Sequence, residues 1–227
     1  MKRLWLASLV AATSLPVLAA VSEPASLTWA SVFGKMKPPE HQHFVAVWFD
    51  EHAAAHRVEV WREGESAVRR DTDERLSVYA TKTAQPGSLD MEPRYEVVDH
   101  ARKLFYEVDR SNLNRLGIFY DWDQLAHAMK QPGGPYRLSR LSRPTDQQAG
   151  TSCTWYLLQQ PSGEAQICWS QAVGLPLAEN LKSTDGAWRE AWRVVSVDDN
   201  VRDPDVTFNS RDYIRFDANE DLAPGAD

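Results

Sequence analysis

The stretch Gly150–Trp192, GTSCTWYLLQQPSGEAQICWSQAVGLPLAENLKSTDGAWREAW, decides the fold. Cys153–Leu158 and Ala165–Trp169 are short aromatic and apolar runs, parted by the turn-forming residues Pro161-Ser162-Gly163. Gly174-Leu175-Pro176-Leu177 opens a third run. Asp185-Gly186 then turns the chain into a fourth, Trp188–Val197. Four strands joined by tight turns make an antiparallel meander.

The same pattern extends outward. Strand-like runs recur at Phe44–Phe49, Arg57–Arg62, Arg75–Thr81, Tyr95–Val98, Lys103–Val108, Tyr136–Leu141 and Tyr213–Phe216. Turn residues fall between them at Glu63-Gly64-Glu65, Gln85-Pro86-Gly87 and Asp99-His100-Ala101-Arg102. Two segments have helical spacing instead. Ser26–Met36 places Leu27, Val32, Phe33 and Met36 loosely on one side. In Asp121–Gln131, Trp122, Leu125, Ala126 and Met129 fall at i, i+3, i+4 and i+7, which is one apolar stripe. Asp121 and Gln124 have the spacing of a capping box, and Pro132-Gly133-Gly134-Pro135 ends the run. The expected class is α+β, a large antiparallel sheet with a few helices packed on it.

Strand parity adds a second expectation. Val58 and Val60 alternate with Arg57, Glu59 and Arg62, apart from Trp61, as on a sheet with one wet face. Phe44–Phe49 and Cys153–Leu158 are apolar or aromatic at both parities and are expected to be buried on both faces. Such strands form packed core, the commoner use of buried aromatics, or wall a cavity for an apolar ligand.

The composition excludes several classes. The chain has 227 residues, 43% hydrophobic and 25% charged, unlike collagen, a coiled coil, low-complexity disorder or a polytopic membrane protein. A formal charge of −7 and the lack of a basic block argue against nucleic acid as a partner. Met1–Ala20, MKRLWLASLVAATSLPVLAA, has the build of a cleaved signal peptide: Lys2 and Arg3, an apolar run, then small residues. Ser8, Thr13, Ser14 and Pro16 interrupt that run, which falls short of the roughly 18–20 apolar residues of a membrane anchor. No integral membrane segment is expected after cleavage, and no cysteine stands at the cleavage point for lipid attachment. Cleavage leaves 207 residues at −9 in a periplasmic or secreted location. Nucleotide-dependent chemistry is disfavoured there, and the chain has no GxxxxGK[ST] or GxGxxG run. The organisation expected is a signal peptide over 1–20, one domain over 21–212 and an acidic tail over 213–227.

Candidate chemistry is sparse. Cys153 and Cys168, the only cysteines of an exported chain, are expected to form a disulfide, in preference to a redox or metal pair, because no CxxC spacing exists. His41/His43 and His52/His56 are pairs that bind metal weakly at most, since a strand holds them roughly 20 Å or more apart. There is no GxSxG and no HExxH. Asp99-His100 is a dyad only in sequence, expected to sit in a solvated turn. Asp217-Ala218-Asn219-Glu220-Asp221 begins like a calcium loop, but Leu222 replaces its glycine and no closing glutamate follows. No catalytic residue and no metal site is assigned, and no cofactor is expected.

The run from Trp169 through Gly174-Leu175-Pro176-Leu177 to Asp185-Gly186 resembles a passage of the periplasmic lipoprotein-carrier-like (LolA/LolB/RseB-like) superfamily. That group includes lipoprotein localisation factors and a sensor that restrains an envelope-stress anti-sigma factor. The resemblance implies a strongly curved antiparallel half-barrel, its concave face covered by helices, that takes acyl chains or docks a partner protein without catalysis. On this reading Phe44, Trp48, Trp122, Trp155 and Trp169 line or lid the cavity. The chain is then an exported, non-enzymatic binding or carrier protein for a lipid, a lipoprotein acyl chain or a hydrophobic partner. The alternatives are an envelope sensor or assembly factor binding a partner protein, and a metal-binding protein using its histidine pairs.

Overall fold

The computed structural model describes residues 27–34, 39–82, 93–109, 112, 121–199 and 210–217. The expected signal peptide and most of the calcium-like run lie outside these residues. The elements, in chain order, are α1 (Trp29–Val32), β1 (His41–Phe49), β2 (Ala55–Glu63), β3 (Ala67–Thr72), β4 (Leu76–Lys82), β5 (Pro93–Asp99) and β6 (Leu104–Val108). They continue with α2 (Trp122–His127), β7 (Arg137–Arg140), β8 (Asp146–Gln148), β9 (Thr151–Gln160), β10 (Gly163–Ser170), β11 (Leu175–Lys182), β12 (Trp188–Asp198) and β13 (Ile214–Asp217).

The strands form one sheet in the order β13-β6-β5-β4-β3-β2-β1-β12-β11-β10-β9-β7, with β8 pairing β9 off this path. Every pairing is antiparallel except β13 on β6, which is parallel. The edges β13 and β7 do not meet, so the sheet is open. Two meanders, β1–β6 and β9–β12, are joined where β12 returns to pair with β1. Tyr213–Phe216 is a strand-like run that falls within the expected acidic tail. In the structure the sheet extends to Asp217.

The core follows the pleat. By register Phe44 faces Val60, Ala46 faces Val58, Val78 faces Val97 and Ala80 faces Tyr95, and all eight are buried. On β1 the other parity, with Val45 and Val47, is only half-buried, which corrects the expectation of two-sided burial there. On β9 Cys153, Trp155 and Leu158 are buried while Thr154, Tyr156 and Leu157 are half-buried, so the expectation holds there only in part; full two-sided burial falls on β10, from Ala165 to Ser170. The expected disulfide is present, with Cys153 and Cys168 bonded and their Cα atoms 5.3 Å apart across the β9–β10 hairpin.

Both helices are shorter than their apolar spacing suggests. Thr28 and Ser31 form a capping box at the start of α1, a signal that apolar spacing alone does not weigh. At α2 the expected box is present: Asp121 Oδ1 accepts from Gln124 N at 3.1 Å, and Gln124 Oε1 accepts from Asp121 N at 3.3 Å. The helix ends where Ala128 takes a left-handed conformation (φ 57°), well before Pro132. Met129 therefore leaves the helical stripe.

Candidate functional site

Among the described residues, α1 and α2 stand beside the sheet without sealing it. α2 packs its buried Trp122, Leu125 and Ala126 toward β2 and β3. α1 joins a separate cluster in which Val32, Leu138, Leu158, Ile167 and Trp169 are buried together. Between them lies a cavity of about 270 Å³ walled by Trp29, Phe33, Met129 and Trp169 on its apolar side and by Arg62 and His127 on its polar side. A groove of about 360 Å³ adjoins it, sharing Trp29 and Met129. The groove runs over Leu158, Ala165, Ile167 and Leu181.

The apolar wall is an aromatic cluster. Phe33 meets Trp169 edge-on at 5.1 Å and Tyr156 at 5.8 Å, and Trp29 lies 4.5 Å from Phe33. Tyr136 Oη accepts the Trp29 N–H at 2.8 Å, fixing the first turn of α1 against the strand side. The indole N–H of Trp169 is buried and finds no partner among the described residues.

The polar wall pins α2. Arg62, on the core-facing side of β2 and 2% exposed, donates from Nη1 to the carbonyl of Ala126 (2.9 Å) and to His127 Nδ1 (2.8 Å). It thereby satisfies a C-terminal carbonyl that the helix itself leaves open. Because His127 accepts at Nδ1, its Nε2 is the donor, and Glu65 Oε1 stands 3.4 Å away. Glu65 Oε2 also accepts the Trp122 indole N–H at 3.2 Å, and Lys82 lies over the Trp122 ring at 3.9 Å. The hydrogen bond from His127 is the main reason that the Glu65 carboxyl is held down at about 2. Burial pushes the Arg62 guanidinium down, opposed by the charges of Glu65 and Asp199.

The aromatics singled out from sequence are dispersed. Trp169 lines the cavity. Phe44 is fully buried in the sheet core, and Trp122 is buried in α2 behind Glu65. Trp155 is buried beneath Arg143, whose guanidinium lies 5.1 Å from its ring. Trp48 is partly buried and stacks on His56 at 4.4 Å. Trp29, Phe33, Arg62, Glu65 and His127 were not singled out. The helical spacing that included Phe33 was the available signal, whereas an arginine on the core parity of a strand gives none.

The histidine pairs do not come together. His43 bonds Glu59 at 2.9 Å and stacks on Trp61, while His56 bonds Asp73 at 2.6 Å and His52 is exposed. His41 has both ring nitrogens buried without a hydrogen bond among the described residues, Glu40 standing 3.6 Å from Nε2. No group of three or more metal-ligating side chains occurs among the described residues. His100 is partly buried, not solvated as expected: its ring nitrogens bond Ser77 Oγ at 2.7 Å and Tyr213 Oη at 2.9 Å, while Asp99 accepts from Arg102 N.

No protein-family model and no curated protein matches the chain. Among solved structures it is similar to MucB, at 16% identity and a TM-score of 0.43 over 78% of this chain and 59% of that one. It is similar to the Pseudomonas aeruginosa MucA/MucB complex at 15% identity and 0.41, over 73% and 53%. A third neighbour, from Vibrio parahaemolyticus, is described as an outer membrane lipoprotein-sorting protein domain, at 10% identity and 0.31, over 70% and 76%. All three TM-scores lie below 0.5, and the chain spans less than two thirds of the MucB chains. No helix of the described residues is long and apolar enough to cross a membrane.

Proposed function

We propose that the chain is an exported, non-enzymatic binding or carrier protein of the periplasm that takes an apolar chain between its helices and its sheet. In this reading the open sheet curves as a half-barrel, and α1 and α2 cover its concave face. The ligand class is a lipid, a lipoprotein acyl chain or a hydrophobic partner segment. One observation carries the proposal: two adjoining cavities share Trp29 and Met129, with Trp169 continuing the apolar wall in one and Ile167 in the other, beside helices of four and six residues. Helices that short have little stability of their own and depend on the contacts they make. Lifting them exposes more of the same wall. The polar wall gives little purchase for catalysis, since His127 is held between Arg62 and Glu65.

A fluorescent fatty-acid analogue tests this reading. Stoichiometric binding is expected, weakened by Phe33→Asp, which places a charge on the cavity wall, and insensitive to Arg57→Gln on the outer face. Native mass spectrometry of gently purified protein should show a bound apolar molecule. Protein that is always empty and ignores the probe overturns the proposal.

A second reading has its own observation. β13 is an edge strand with Ile214 62% and Phe216 38% exposed, the apolar edge that a partner protein would pair with. A stoichiometric protein partner recovered from envelope extract without lipid, and lost in Phe216→Lys, favours a sensor or assembly factor.

A further inference from the structure

The groove over β9–β11 holds a charge that its surroundings do not answer. Register places Glu179 of β11 opposite Ile167 on β10 and Trp192 on β12, so its neighbours across both strands are apolar. Its carboxylate lines the groove with Leu158, Ala165, Ile167 and Leu181. The Glu179 side chain is half-buried and makes no hydrogen bond and no ion pair with any described residue.

The other charges at the groove are already matched. Lys182, on the same strand, reaches Glu164 of β10 at 2.9 Å. Lys130, just after α2, pairs with Asp121. α1 contributes Trp29 to the groove. A carboxylate set among apolar side chains without a partner is unfavourable, and the group that relieves it best is a cation with N–H donors. Burial correspondingly pushes the Glu179 carboxyl up to about 7.

We propose that this groove binds an ammonium head group carried on an apolar chain, with Glu179 as its counter-charge and Leu158, Ala165, Ile167 and Leu181 as contacts for the first methylenes. This rests on the reading of the cleft as an apolar-chain site and names the head group selected there. Neutral Glu179 is a poor partner for ammonium, so affinity rises with pH through about 7, while an alkylamine stays protonated well above that.

The test compares decylammonium, decanoate and decanol by calorimetry at pH 6 and pH 8.5, with wild type and Glu179→Gln. Decylammonium is expected to bind about tenfold more tightly than decanoate at pH 8.5, with the preference shrinking at pH 6. Glu179→Gln should erase the preference and leave decanol unchanged. This variant removes an unpaired charge and keeps its shape, so its thermal midpoint should not fall below that of wild type. A preference that survives Glu179→Gln, or decanoate binding as tightly as decylammonium, overturns the inference while leaving the cleft reading intact. If none of the three chains binds, both fail. Lysophosphatidylethanolamine against lysophosphatidylglycerol of equal chain length then separates a phospholipid source from a free alkylamine. Discrimination between the two points to the phospholipid. Decylammonium preference without it points to the free amine.

Discussion

β2–β3 and β9–β11 share the same antiparallel pairing and differ in how many faces they bury. On β2–β3 one face holds Val58, Val60 and Val68, while the other carries the Arg57–Glu59 and Arg69–Asp71 pairs. On β9 and β10 one face holds Cys153, Trp155 and Cys168, and the other holds Leu158, Ala165 and Ile167. A sheet buried on both sides needs two covers. Leu141, Ala149 and Arg143 supply one over Trp155, and α1 supplies the other. α1 is a single turn, too short to cover its whole side, and the cavity and groove open where its cover stops. The wet half thus needs no second layer, and the two-sided half has an incomplete one.

The largest effect should come from the two-sided half. Leu177, fully buried on β11, is expected to cost about 2–5 kcal/mol when replaced by Ala, read as a fall in urea midpoint. Arg57→Ala on the wet half removes the exposed partner of Glu59 and should cost less than about 1 kcal/mol. Equal costs would break the contrast. Replacing Cys153 and Cys168 together by Ser should cost about 2–4 kcal/mol, mostly by freeing the unfolded chain. Reduction of wild type should lower its midpoint by the same amount and leave the double variant unchanged.

The contrast also separates what the sequence reveals from what it hides. Alternating apolar residues mark β2, β4 and β5 because valines occupy the core parity. β3 escaped notice because its core parity reads Val68, Arg70, Thr72, with a buried arginine where an apolar residue is expected. Arg62 is hidden the same way on β2, which is why the polar wall of the cleft was missed. α2 was recognised from its stripe and capping box, but its end was read too late. Ala128 turns left-handed with no glycine to announce it. Of the aromatics expected at the cleft, Phe44, Trp48, Trp155 and Trp169 stand on strands and Trp122 on α2. The chain supplies Trp29 and Phe33 from a helix turn, and their contact with Trp169 is a long-range one that spacing does not encode.

The cap on α2 sharpens the comparison at smaller scale. Asp121→Ala removes the acceptor for Gln124 N and the partner of Lys130, and should cost about 1 kcal/mol. Hydrogen exchange should quicken at the amides of α2 while β9–β11 stay protected. Uniform acceleration across the sheet would mean that α2 is part of the global unit rather than a separable cover.

The smallest effect belongs to the wet half and depends on pH. His56 stacks on Trp48, bonds Asp73 at 2.6 Å and faces Asp50 at 3.6 Å. The hydrogen bond to Asp73 is the main cause that raises its pKa above the ordinary 6.5, against a smaller opposing effect of burial. A folded pKa above the unfolded one means the folded state holds the proton more tightly. The resulting stability is complete below pH 6.5 and is lost as pH rises through the folded value. His56→Gln keeps a hydrogen-bonding group beside Asp73 but cannot take up the proton. The difference in urea midpoint between wild type and His56→Gln should therefore be largest at pH 6 and shrink toward pH 9. Titration of Glu179, common to both proteins, cancels in that difference, whereas loss of the Trp48 stacking adds a constant offset. Midpoint curves that stay parallel from pH 6 to pH 9 would mean that Asp73 holds His56 no more tightly in the folded chain than water does in the unfolded one. The His56–Asp73 pair, on the core-parity side of β2, would then lend that half no stability, which is the strongest form of its contrast with β9–β11.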